Sequence, residues 1–267
     1  MSVSVRFVAL GDSTTYGMGD ALPGGGWRGF AALLAAAFGD DAPFVNLAVS
    51  GARAADVRTT QLGPALRLRP QLASLMVGVN DTMRSDFDPA VVRDHVLVAA
   101  GALAESGATL LTVRLHDHSR VFGLPGVLAR PLGTRIAEIN AIYDETFQRY
   151  GGFRVDLHEQ PWAYLRESWS VDRLHPSELG HRRLAHSFAA MLAGAGWPVV
   201  EPPSLAPSGG VVPTPAADLR WMIVKGVPWV GRRARDLVPW AVTLAGREVG
   251  GQVARRVRRK GRIASAA

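Results

Sequence analysis

The chain contains no cysteine. This excludes a disulfide scaffold, a thiolate nucleophile and a cysteine-bound zinc, so covalent chemistry falls to oxygen or nitrogen. Its two lysines, Lys225 and Lys260, both stand near the C-terminus, so no glycine-rich loop in the first 200 residues has the lysine that a Walker-type phosphate cradle requires. No stretch approaches the roughly 20 apolar residues of a membrane-spanning helix. From Met1 the chain runs into strand-like Val5–Leu10 without the basic, apolar and small-residue regions of a secretory signal, from which a cytoplasmic location is expected. The body also lacks a charge surplus. Residues 201–267 hold 12 of the 30 Lys and Arg and 4 of the 23 Asp and Glu, a net +8, which leaves residues 1–200 at −1. Basicity confined to a tail argues against a nucleic-acid reader, which carries its basic stripe on the folded body; no nucleic-acid partner is expected.

Two units follow from composition: residues 1–200, and a 201–267 extension that begins with a Pro/Gly-rich linker and continues into a basic, tryptophan-containing segment. In the first unit, continuous apolar runs at Val5–Leu10, Phe44–Val49, Leu72–Val79, Thr109–Leu115 and Phe153–Leu157 alternate with helical patterns at Trp27–Phe38, Ala54–Leu68, Pro89–Ser106, Thr134–Tyr150 and Pro176–Leu192. Runs without polar alternation belong to strands covered on both faces, and five βα units predict an α/β fold with a five-stranded parallel sheet and right-handed crossovers.

Ligands of such sheets bind beyond the carboxyl ends of the strands, which directs attention to the loops. Gly11-Asp12-Ser13 follows the first strand, and the nearby Gly17-Met18-Gly19 lacks the third glycine of a dinucleotide fingerprint. What remains is a serine at a sharp strand-to-helix turn, the placement of a nucleophile. A serine hydroxyl needs an imidazole to take its proton and a carboxylate to hold that imidazole. Asp172-Arg173-Leu174-His175-Pro176, after the last strand, supplies both at the same end of the sheet. Donors for an oxyanion are available from the Ser13 N–H, from Gly51 after strand two and from the carboxamide of Asn80 after strand three.

Gly11-Asp12-Ser13, Asn46 with Gly51, Gly78-Val79-Asn80-Asp81 and Asp172-Arg173-Leu174-His175-Pro176 stand in the order and spacing of four blocks that resemble those of the SGNH hydrolases, also called GDSL esterases/lipases, over about residues 5–195. The resemblance implies a flavodoxin-like three-layer α/β/α fold that hydrolyses carboxylic esters without a cofactor or metal. It implies Ser13 as nucleophile, His175 as general base and then acid, Asp172 as its orienting carboxylate, and Ser13, Gly51 and Asn80 as the oxyanion hole. Thr14 stands where the family usually has leucine, beside the nucleophile, which bears on substrate preference.

Other features have plainer readings. The plainer role for Ser13 is helix capping alone; Asp12 reads as a buried turn-former and Asp81 as a support for its loop. His116-Asp117-His118 offers two histidines two apart without a third ligand, and no metal site is assigned. His181 and His186 read as surface residues, and Trp27, Trp162, Trp169 and Trp197 as core or pocket-wall packing. Residues 116–131, with Phe122, Leu124, Val127 and Leu128, read as a long loop walling an acyl pocket. The expected partner is a small-molecule ester, lipid-like or a carbohydrate ester. The rival from another class is a non-catalytic membrane or nucleic-acid adaptor acting through the basic tail, whose Trp and Arg suit peripheral contact with an acidic membrane surface; the plainer reading of that tail is that its tryptophans pack back onto the body and its final basic run is solvated.

Overall fold

The computed structural model describes residues 5–39, 41–123 and 126–208, with Thr214, Ala216, Val242 and Gly246 beyond them. The readings of the basic tail, its tryptophans included, of Leu124 and of the Val127 and Leu128 side chains fall outside the described residues.

Five strands, β1 (Phe7–Gly11), β2 (Phe44–Asn46), β3 (Leu72–Met76), β4 (Thr109–Arg114) and β5 (Phe153–Asp156), form a wholly parallel sheet in the order β2-β1-β3-β4-β5. Each matches an expected run; β2 to β5 end earlier, Val49 belonging to the loop that leaves the sheet and Val79 opening a short helix, whereas β1 runs one residue further, to Gly11. After β1 the chain steps one way to β2 and then returns past β1 to β3, and the reversal puts the intervening helices on opposite faces. On one face α2 (Gly29–Ala36) packs on α9 (Glu178–Gly194); on the other, α6 (Pro89–Glu105) packs on α8 (Gly126–Tyr150) and on the helical segment 57–67. The short helices α1 (Ser13–Tyr16), α5 (Val79–Thr82) and α7 (His118–Phe122) each begin within a few residues of a strand end. Covered on both faces, β1 and β3 are buried at every residue, which explains their unbroken apolar character.

Three helical expectations are corrected. The helix expected over Ala54–Leu68 is instead α3 (Ala54–Asp56), a wider π turn over Val57–Gln61 and α4 (Leu62–Arg67). Pro64 has no N–H to give to Thr60, and its ring crowds that carbonyl, so the preceding turn widens. The long loop expected over 116–131 is helical for most of its length, in α7 and the first turns of α8, with Pro131 inside α8. The last helix starts at Glu178, because Ser177 takes the cap with its hydroxyl on the Gly180 N–H at 3.2 Å. After α9 the chain turns back along it: Arg182 reaches the Ser204 carbonyl at 2.9 Å, and Glu178 accepts from the Ser208 N–H at 2.8 Å.

Candidate active site

The reversal of chain direction lies between β1 and β3, and there the two adjacent loops diverge to leave a crevice at the carboxyl edge of the sheet. Ser13 sits on the β1 side of it, one residue beyond the Asp12 that caps α1. The Asp12 carboxylate accepts from the Thr14 N–H at 3.0 Å. Ser13 is therefore the first residue of the helix and not its cap. Gly11, at φ +153°, allows the sharp exit from β1: a Cβ there would lie 2.3 Å from the Met76 carbonyl. Gly19, at φ +102°, is the close approach between the two halves of the site. A Cβ on it would lie 1.9 Å from the Pro176 carbonyl, so only glycine lets the β1 loop and the His175 loop touch.

The Asp172–His175 loop is shaped by its own hydrogen bonds. Ser170 N–H donates to the His175 carbonyl at 2.8 Å and Ser177 N–H to the Ser168 carbonyl at 2.9 Å, with Arg173 at φ +55° at the tip. One Asp172 oxygen accepts from the N–H groups of Leu174 and His175 at 2.9 and 3.0 Å and from the Ser170 hydroxyl at 2.7 Å. The other faces His175 Nδ1 at 2.6 Å, and His175 Nε2 lies 2.8 Å from Ser13 Oγ. Burial pushes the Asp172 carboxyl upward, but the His175 hydrogen bond and charge, with the backbone donors, outweigh it and hold the group down at about 2. An ionised carboxylate only accepts, so Nδ1 carries the proton and Nε2 presents its lone pair to the serine hydroxyl.

On the β1 and β2 side of the crevice, the N–H groups of Ser13 and Gly51 make no hydrogen bond among the described residues. Gly51, at φ +82°, forms the turn after β2. Asn80 Nδ2 donates to the Ala52 carbonyl at 3.1 Å, which ties the Gly51 loop to the β3 loop, and lies 3.5 Å from the second Asp12 oxygen. Asn46, the remaining block residue, holds the end of β2 against α1, its amide donating to the Thr15 carbonyl at 2.8 Å. Burial raises the Asp12 carboxyl to about 6, against the Thr14 N–H that lowers it. Asp81 accepts from the Ala54 N–H at 3.1 Å and from Arg53 at 3.3 Å and so anchors its loop, as expected.

Two expectations fail here. His181 is fully buried rather than at the surface: its Nδ1 accepts from the Phe30 N–H at 3.1 Å, and its Nε2 donates to the Met18 carbonyl at 2.9 Å, joining α9 to the β1 loop. Trp27 is 39% exposed and packs no core. The metal reading of His116 and His118 gains no support, since no group of three ligating side chains occurs among the described residues. The two rings also stack face to face at 4.0 Å, which keeps their in-plane lone pairs from converging on one ion.

Sequence reasoning missed the residues that hold the strand ends. Gln61, Tyr143 and Asn140 each grip both the N–H and the carbonyl of one residue: Gly11 at 2.8 and 2.9 Å, Val77 at 2.8 and 2.9 Å, and Leu115 at 2.7 and 2.9 Å. These are the points where β1, β3 and β4 leave the sheet and the regular ladder stops supplying partners; at Gly11 the carbonyl is also reached by the Val49 N–H at 3.2 Å. A signal existed for two of them. Asn140 and Tyr143 occupy the buried stripe of α8 with Ile136 and Ile139 at helical spacing.

Sheet order and helices on both faces define the class as an α/β hydrolase-like three-layer fold, with the crevice of such folds occupied by Ser13, His175 and Asp172. More narrowly, the chain belongs to the GDSL-like lipase/acylhydrolase family, whose model matches residues 9–183, and the family supports an ester hydrolase. Solved structures of the same fold include an alpha/beta hydrolase from the metagenome of Lake Arreo, Spain, at 20% identity (74% of this chain, 98% of that one, TM-score 0.57). The lipase/acylhydrolase from Enterococcus faecalis is similar at 21% identity (71% and 96%, TM-score 0.55). Axe2, an acetylxylan esterase from Geobacillus stearothermophilus, is similar at 18% identity (75% and 99%, TM-score 0.56). No curated protein matches the chain. Among the described residues, no helix is long and apolar enough to cross a membrane.

Proposed function

We propose that the protein hydrolyses carboxylic esters through an acyl-enzyme on Ser13. The observation that carries this reading is the unbroken line from Ser13 Oγ through His175 Nε2 and Nδ1 to Asp172, at 2.8 and 2.6 Å. As Ser13 Oγ attacks the ester carbonyl carbon, His175 Nε2 takes the hydroxyl proton, and Asp172 stabilises the imidazolium. The carbonyl oxygen, now negative, is met by the uncommitted N–H groups of Ser13 and Gly51. Asn80 adds the amide proton that otherwise faces Asp12 at a marginal 3.5 Å. Collapse expels the alcohol, which takes the proton from Nε2. Water, deprotonated by the same nitrogen, then attacks the acyl carbon, and Ser13 leaves with its proton restored.

Purified protein tests this with p-nitrophenyl butyrate and a fluorophosphonate label. Ser13→Ala should lower kcat by about 10⁵-fold or more and abolish labelling, with the fold intact by circular dichroism. Labelling that persists in the variant would assign the chemistry to another residue.

A further inference from the structure

A cavity of about 60 Å³ lies under the loops of the active site. Asp12 and Thr14 on either side of Ser13, Val79 beside Asn80, and Leu174 and Pro176 on either side of His175 line it, so it lies against the segments that carry those groups, which do not themselves line it. Its walls are mostly apolar; of the buried polar side chains in them, Asp12, His118 and Ser168 have hydrogen-bond partners and His116 does not. His116 contributes an imidazole that is 2% exposed and has no hydrogen-bond partner at either nitrogen. The ring is oriented by packing alone, stacked on His118 at 4.0 Å and tilted against Trp169 at 4.5 Å. Burial, with His118 alongside, moves its pKa well below the ordinary histidine value. A neutral ring carries one N–H donor and one lone pair, and leaving both unpaired in an apolar wall is unfavourable. His118 does not satisfy them, since its ring lies face to face with that of His116 at 4.0 Å and its own Nδ1 meets the His116 carbonyl at 3.0 Å.

We propose that this cavity is the acyl pocket and that His116 hydrogen-bonds a hydroxyl carried by a short acyl group, so that short hydroxyacyl esters are preferred to plain esters of the same length. The inference rests on the ester-hydrolase reading above. Size sets the chain length: at about 10–15 Å³ per water-sized group, the space takes about four to six non-hydrogen atoms. That admits a butyryl-sized group and excludes a fatty chain. Chemistry sets the substituent. No arginine or lysine lines the cavity, so a carboxylate would go unpaired there, whereas a neutral hydroxyl both donates to and accepts from a neutral imidazole. An acetyl group is too short to fill the space.

The test compares ethyl 3-hydroxybutyrate, ethyl butyrate and 2-hydroxyethyl butyrate by pH-stat, using the wild-type protein. One neutral hydrogen bond corresponds to a preference of about three- to tenfold in kcat/KM for the 3-hydroxy ester over ethyl butyrate. His116→Phe should bring that ratio to one or below, and His116→Asn, which keeps a donor and an acceptor, should retain part of it. A wild-type ratio of one or less overturns the proposal without recourse to any variant, as does a ratio that survives His116→Phe. Preference for 2-hydroxyethyl butyrate instead would move the hydroxyl to the alcohol side and overturn the acyl assignment. Turnover of ethyl butyrate separates the two levels: its presence with no hydroxyl preference sinks only this inference, whereas hydrolysis of none of the three esters sinks the ester-hydrolase reading with it.

Discussion

Two pairs of buried histidines border the active-site end of the sheet, and they are built in opposite ways. His175 and His181, at the start of α9 and in the loop before it, have every ring nitrogen within 3.1 Å of a partner on another segment or in the same turn. His116 and His118, beyond β4, share between them one ring hydrogen bond to backbone and are held by aromatic contacts with each other, Trp169 and Phe122. Partners on both nitrogens fix a ring's tautomer as well as its position, which a proton relay requires. Packing fixes position alone and leaves the polar edge uncommitted, which suits recognition of something that enters and leaves.

Within the comparison of the two histidine pairs, the largest effect expected comes from disturbing the partnered side at Asp172. Asp172→Asn should leave the fold and KM nearly unchanged while kcat falls by about 10⁴-fold, because the amide permits the wrong imidazole tautomer and cannot stabilise the imidazolium. Steady-state kinetics on p-nitrophenyl butyrate measures it. Near wild-type turnover would move the orienting role to another acid.

Acid sharpens the comparison, since both pairs contain a ring that burial keeps neutral. His118 and His181 are each pushed down from 6.5 to about 4. A depressed folded value means that stability is fully present above about 6.5 and is lost as pH falls through about 4, by roughly 3 kcal/mol for each ring. His116 shifts in the same direction. Asp12 opposes them: raised to about 6, it favours the folded state progressively as pH drops from 6 toward its ordinary 3.8. The net expectation is a steady loss of Tm between pH 6.5 and 4 in scanning calorimetry, and a steeper loss in Asp12→Asn, where the opposing group is gone. A Tm that is flat over this range would show that the rings are not buried neutral.

The smallest effect separates orientation from mere filling of space. His181→Leu keeps the volume of the ring but strands the Phe30 N–H and the Met18 carbonyl, which should cost about 2–4 kcal/mol and lower Tm by several degrees. Because those bonds tie α9 to the β1 loop, kcat should fall as well, with KM little changed. An equal loss of stability with unaltered kcat would confine His181 to packing.

Much of this arrangement could be read from residue order alone, and the reason is locality. A parallel strand covered on both faces must be apolar throughout, so its position shows in a short window. The loops after the strands must then share one edge, since parallel strands all point the same way. That geometry was enough to bring Ser13 and His175 into one candidate site from positions 162 residues apart. The four blocks are themselves local, and each carries a serine, glycine, asparagine or Asp-x-x-His at a strand end.

What the sequence could not disclose depends on pairing between distant segments. Gln61, Tyr143 and Asn140 look like ordinary members of helices until the sheet places Gly11, Val77 and Leu115 opposite them. His181, flanked on its helix by Arg182 and Arg183, reads as surface; it is buried because Phe30 and Met18 fold over it. His116 and His118 are the sharpest case. Two histidines two apart have the same local pattern whether they hold an ion, face water or line a cavity. Only the stacking of their rings and the walls brought in from β3, the segment after β5 and α9 distinguish these outcomes, because a polar atom's partners, or its want of them, are properties of the packed chain.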